Sequence, residues 1–237
     1  MHTDISPSTR RKYEKLAGYM FLFIIITFIS GTVAISMITG SGDFAQKAQN
    51  IAAGETAYRL VFTGQIFGYI FTMLLSFSLY AILRYHNPLM AKLALYFRLV
   101  EVAISCVVLS YRLVQMDLYA NKAYIGPFAL EQVQMLHRHA TAFYDSGFNI
   151  SGIFFAFGST LFFYLLYTSR YMPRWIGMFG IFGSIVAGMA CIGSLVLPQY
   201  SVIELGWLPS LLQEIFAGIW LIFIGNKTLV ASKSQAG

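Results

Sequence analysis

The sequence predicts an all-α fold: a polytopic membrane protein with six transmembrane helices in one bundle, plus an amphipathic helix in the long outer loop. Three observations carry this. Of the 237 residues, 57% are hydrophobic and 11% are charged, against about 25% charged in a soluble domain. Mean hydropathy is +0.66. Uncharged runs of 24 residues or more recur along the chain, and about 20 apolar residues suffice to cross ~30 Å of hydrocarbon as a helix. Disorder, a basic nucleic-acid-binding domain and a secreted disulfide scaffold are excluded. The two cysteines, Cys106 and Cys191, lie in apolar runs and read as packing residues.

Four spans are uninterrupted. Residues 16–42, 60–83, 146–169 and 175–203 lack Asp, Glu, Lys and Arg. The first is too long for a signal-peptide core of about 7 to 15 residues, so it reads as an uncleaved anchor. Two further spans carry charge: Arg98, Glu101 and Arg112 in one, Glu214 in the other. The expected spans are 16–38, 60–82, 93–114, 146–168, 175–197 and 206–226, forming one domain over 1–237. A membrane barrel is excluded because the runs do not alternate polar with apolar residues. In the segment before the fourth span, Leu130, Val133, Leu136, Ala140 and Phe143 recur at helical spacing after Pro127. This helix is expected to lie on the bundle or to run straight into the span.

Charge sets the expected orientation. One side holds ten Lys/Arg: Arg10, Arg11, Lys12, Lys15, Arg84, Lys92, Arg170, Arg174, Lys227 and Lys233. The other holds five: Lys47, Arg59, Arg112, Lys122 and Arg138. The positive-inside rule then places both termini in the cytoplasm. The net charge of +6 follows from topology and calls for no nucleic-acid partner. The lipid bilayer is the expected surrounding, and monomer and homo-oligomer are both compatible with the chain.

Several segments read together. Phe97-Arg98-Leu99-Val100-Glu101 opens the third span. Met172-Pro173-Arg174-Trp175-Ile176-Gly177 joins the fourth to the fifth. Gln213-Glu214-Ile215-Phe216-Ala217-Gly218 lies in the sixth, and Asp43, Asn50-Ile51 and Tyr58-Arg59-Leu60 mark the first outer loop. With these the chain resembles, over about residues 16–225, the bacterial multi-pass membrane proteins grouped as domain of unknown function 4386. The resemblance implies a helical fold in the bacterial cytoplasmic membrane. It implies no biochemical activity.

Candidate chemistry begins with the charges inside the spans. Each costs at least about 2.5–3.5 kcal/mol at the helix centre on insertion scales, so such residues face the bundle interior. At 100° per residue, Arg98, Glu101, Ser105 and Arg112 fall within about 60° on one helix face. Glu214, beside Gln213, enters from the other membrane surface at similar depth. These six are the candidate ligand-binding residues, suited to a small anionic or zwitterionic ligand that is bound, sensed or transported. Two alternatives stand beside that reading. One is a ligand-free accessory membrane protein whose charges only lock the helices. The other is an intramembrane metal-dependent hydrolase or transferase using His137, His139 and Asp145. Against the metal, residues two apart on a helix diverge by about 200°, whereas helical chelation uses i, i+4. The balance is therefore against an enzyme, no cofactor is expected, and lipid or a small molecule is the expected ligand class. Arg59, Asp145 and Asn149 are candidates for an outer vestibule. Gly180, Ser184 and Gly188, and Gln65, Gly68, Thr72 and Ser76, form four-residue small or polar stripes expected to pack helix on helix.

Overall fold

The computed structural model describes residues 6–120, 130–200 and 205–225. Lys122, Pro127, Lys227 and Lys233 of the reading above lie outside the described residues. The described chain forms seven helices. They are α1 (Pro7–Thr39), α2 (Phe44–Ala53), α3 (Glu55–Leu83), α4 (Pro88–Ala120), α5 (Leu130–Thr168), α6 (Arg174–Val196) and α7 (Leu208–Phe223). All but α2 are long and apolar enough to cross a membrane.

Each boundary has a local cause. Ser6 caps α1 by accepting from the Thr9 amide at 3.2 Å, and Pro7 fills the first turn, where a missing N–H is harmless. The helix thus begins nine residues before the apolar run does. Gly40, with φ 65°, and Gly42, with φ 134°, turn the chain after α1 in a backbone region that disfavours a side chain. Asp43 then caps α2, accepting from the Gln46 amide at 2.9 Å. The Asn50 amide donates back to the Thr39 carbonyl at 3.0 Å, folding α2 onto the end of α1. Asn87 caps α4 by accepting from the Met90 amide. Pro173 opens α6 after a turn in which Arg170 takes φ 57°.

The six long helices close into a ring in chain order. α1 packs on α3, α3 on α4, α4 on α5, α5 on α6, α6 on α7, and α7 returns to α1. Consecutive members run in opposite directions. One end of the ring therefore collects Arg10, Arg11, Lys12, Lys15, Arg84, Lys92, Arg170 and Arg174 and is called the basic end; α2 lies at the opposite end. Gly18 and Gly218 let α1 and α7 touch: a Cβ on Gly18 would sit 2.8 Å from the Gly218 carbonyl oxygen. The expected stripes pack as read. Gly68 faces Thr27 of α1, while Gly180 and Gly188 face Phe163 and Ala156 of α5.

At 39 residues, α5 is about 58 Å long by rise per residue, roughly twice the hydrocarbon thickness. Its charged residues Glu131, Arg138 and Asp145 all fall in its first 16 positions. Its first half therefore stands outside the hydrocarbon, and the amphipathic helix continues directly into the fourth span. α2 was not expected from the sequence. Its Ile51 enters a core with Tyr58, Phe62, Leu109 and Met116 near the opposite end of the ring. The larger core, with Phe21, Leu75, Leu83, Phe163, Leu166 and Leu221, lies toward the basic end. Cys191 is buried and Cys106 is exposed on the outer face of the ring.

Candidate functional site

The centre of the ring holds charge. Arg98 is 3% exposed, and its guanidinium lies 2.8 Å from the Glu101 carboxylate, one turn further along α4. Glu101 Oε2 thus has a close cation but no other donor. Arg98 donates to the Ser159 hydroxyl of α5 at 3.3 Å and stands 4.7 Å over the Phe155 ring. Gly158 makes room for it, because a Cβ there would meet Arg98 Cγ and Cδ at 2.9 Å. Glu214 is buried on α7, opposite α4 in the ring. Its charge nevertheless interacts with those of Arg98 and Glu101. Glu214 thus lies within electrostatic reach of the Arg98–Glu101 pair, although the two helices are not ring neighbours.

A cavity adjoins this cluster, lined by Phe21, Leu75, Ser76, Arg98, Ser159 and Phe163 among others. It gives the centre of a water molecule about 10 Å³ to move in, room for roughly one water. The arrangement can hold a proton or a water. This cavity is too small for a ligand of several atoms.

The remaining candidates separate. Gln213 is fully buried but turns to α6, donating to Ser184 at 3.0 Å and Ser210 at 3.3 Å. Ser105 is buried and faces the Tyr69 hydroxyl of α3. Arg112 stacks on the Tyr144 ring at 3.8 Å and faces the Tyr58 hydroxyl. Arg59 pairs with Glu55 at 2.8 Å and Asp117 at 2.9 Å on the exposed surface. Asn149 donates to the Asp145 backbone carbonyl at 2.8 Å. These contacts join Asn149 to Asp145 within α5 and tie Arg59 to other partners. His137 and His139 lie on one continuous helix, where two-residue spacing separates them. His137 accepts from the Gln115 amide at 2.9 Å and packs on Phe44, 5.3 Å between rings; His139 is exposed. Among the described residues, no three His, Cys, Asp or Glu converge as metal ligands. His137 stands in the protruding half of α5, where burial, and then the Arg112 charge, hold its imidazole below the usual histidine value.

Sequence reasoning missed two networks. Gln115 is 4% exposed; it bonds His137 and also donates to Thr141 at 2.6 Å, joining α4 to α5. Its place one turn beyond Arg112 on the polar face was the available signal. Glu14, an acid just before the first apolar run, is fully buried and pairs with Arg11 at 3.0 Å. Arg11 also donates to the Leu221 and Ile222 carbonyls at 2.9 and 2.7 Å, capping α7.

A ring of six apolar helices around a buried Arg–Glu cluster defines a multi-pass membrane protein. More particularly, the chain belongs to the family described as Domain of unknown function (DUF4386), which matches residues 16–225. Neither the curated proteins nor the solved structures provide a match.

Proposed function

We propose that this membrane protein is a proton-linked sensor or transporter of a small solute, in which Glu101 and Glu214 share a proton beside Arg98. The observation that carries this is the charge count: one buried guanidinium pairs with the largely buried Glu101 and is also the cation in electrostatic reach of the buried Glu214. Fully ionised, the cluster would bear −1 in a medium where an uncompensated ion is expensive. A proton restores neutrality and fits a cavity with room for one water. A free anion would add to the excess negative charge. A zwitterion could place its carboxylate on Arg98 and its ammonium on Glu214, but only after the helices part. The positive-inside rule supports placing the basic end in the cytoplasm, and the family resemblance supports a bacterial inner membrane.

Infrared difference spectroscopy on the protein in lipid nanodiscs tests the shared proton. A carboxylic-acid C=O band should be present at neutral pH and should be lost or altered in Glu214→Gln and Glu101→Gln. Absence of that band from the unmodified protein would overturn the reading.

A further inference from the structure

One corner of the basic end carries a cation that the described residues do not match. Arg10, in the first turn of α1, lies over the Tyr171 ring at 5.6 Å. Its Nε is buried and donates to no acceptor among the described residues. No carboxylate among them lies within ion-pair distance of it. Its neighbour Arg11 differs: it pairs with Glu14 and donates to two carbonyls of α7. Glu14 is the only acid at that end among the described residues, so Arg10 is surplus positive charge. Tyr171, beneath it, is a fixed platform. The ring is buried, its amide donates to the Leu166 carbonyl at 3.2 Å, and its carbonyl accepts from the Trp220 indole at 3.4 Å. Two more arginines belong to the same turn between α5 and α6. Arg170, with φ 57°, precedes Tyr171 in the chain, and Arg174 opens α6 three residues on, at most about 11 Å away between α-carbons. Both are exposed.

We propose that this corner binds the phosphate of an anionic phospholipid, with Arg10 as the anchor and Arg170 and Arg174 as flanking charge. A guanidinium fork matches phosphate oxygens with paired N–H donors, and the phosphate supplies the acceptor that Arg10 Nε lacks. The depth fits a headgroup. Arg174 stands directly before Trp175, which begins the apolar run 175–203 and packs edge-on against Phe216 of α7 at 5.7 Å; tryptophans at span ends sit at headgroup level. The source of the phosphate follows from what adjoins it. Trp175, Met178 and Phe182 are exposed at helical spacing down one face of α6, an apolar track for an acyl chain leading away from the phosphate. A soluble phosphate would leave that track unused. Three cations without an acid also select the headgroup: one with no ammonium fits, whereas the ammonium of a zwitterionic lipid brings like charge to the arginines. The site is independent of the central Arg98 cluster.

Native mass spectrometry of the full chain, released from detergent after titration with phosphatidylglycerol or with phosphatidylcholine of the same acyl chains, tests the site. The unmodified protein should retain one phosphatidylglycerol with an affinity about tenfold or more above that for phosphatidylcholine. Arg10→Gln should weaken phosphatidylglycerol by about tenfold, the effect of losing one charge-assisted hydrogen bond. Arg174→Gln should act in the same direction and carries the test if Arg10→Gln does not fold. Lys12→Gln removes an exposed charge close to Arg10 in α1 and should change the affinity by less than about threefold, as solvated charges do. Equal losses in Lys12→Gln and Arg10→Gln would mean that the lipid reads diffuse surface charge, and would overturn the site. Equal retention of the two lipids by the unmodified protein would overturn it as well. Inorganic phosphate that displaced phosphatidylglycerol at equal concentration would make the ligand a soluble phosphate and overturn the lipid assignment.

Discussion

Arg11–Glu14 and Arg98–Glu101 share a spacing of three residues and a separation of 3.0 and 2.8 Å respectively, but their surroundings differ. Arg11 is 27% exposed and spends its other N–H groups on two carbonyls that α7 would leave bare. One cation there meets one acid and a helix C-terminus, whose partial negative charge favours it. At the centre, Arg98 pairs with Glu101 and bonds one neutral hydroxyl, with Glu214 in electrostatic reach and a water-sized space beside it. The first arrangement closes a seam between α1 and α7. The second retains an excess of negative charge in the place where charge is hardest to keep. The same residue pair thus serves as a clasp in one region and as a site in the other, and the count of neighbouring charges distinguishes them.

The largest effect expected is that of Arg98→Ala. It leaves Glu101 and Glu214 buried without a cation, and losing one partner of a buried pair costs about 3–5 kcal/mol. Reversible unfolding in mixed detergent should record that loss. Arg98→Ala with Glu101→Ala together should recover a good part of it, because the second change removes one stranded charge. If Arg98→Ala unfolds no more easily than Arg11→Ala, the contrast between the two regions breaks.

Arg11→Ala should rank second. It removes charge-assisted hydrogen bonds, each worth about 1.5–3 kcal/mol, from a partly solvated position where water replaces some of them. The loss should appear as faster amide exchange at the end of α7, read by mass spectrometry, with the carboxylic-acid band of the central cluster unchanged. A change in that band would mean that the clasp and the site are one unit.

Which of these features a sequence can disclose follows from what it encodes locally. The spans were legible because each must supply its own apolar length, and the polar face of α4 because helical periodicity places Arg98, Glu101, Ser105 and Arg112 together. The α2 helix was not legible: ten residues bracketed by Asp43 and Gly54 read as loop, and Phe44 and Ile51 find their core only in tertiary contact. The burial of Glu14 was not legible because an acid that flanks an apolar run reads as solvated, whereas an α1 that starts at Pro7 carries it under the end of α7. That Glu214 comes within electrostatic reach of Arg98 depends on ring order, and nothing local in α4 or α7 states which helix lies across from which. The size of the cavity likewise depends on how Phe21, Phe162 and Phe163 interlock.

The smallest effect expected sharpens the comparison by separating two sources of pH dependence. His137 lies outside both regions, yet its network is selective for one protonation state. The Gln115 amide nitrogen can only donate, so Nδ1 of His137 must accept, which requires the neutral ring. Burial, and then the Arg112 charge, depress its proton affinity in the folded protein. The unfolded chain therefore binds the proton more readily, and stability falls as pH drops from above the unfolded value, near 6.5, toward the lower folded one. Thermal unfolding should show a lower Tm at pH 5 than at pH 7.5. In His137→Gln, which keeps an acceptor for Gln115 and does not titrate, that difference should narrow. The pH response that remains in His137→Gln is then open to assignment to the central cluster, and Glu214→Gln should change it. Should His137→Gln retain the full pH response and Glu214→Gln abolish it, the outer network would be pH-silent and the buried acids would account for all of the titration.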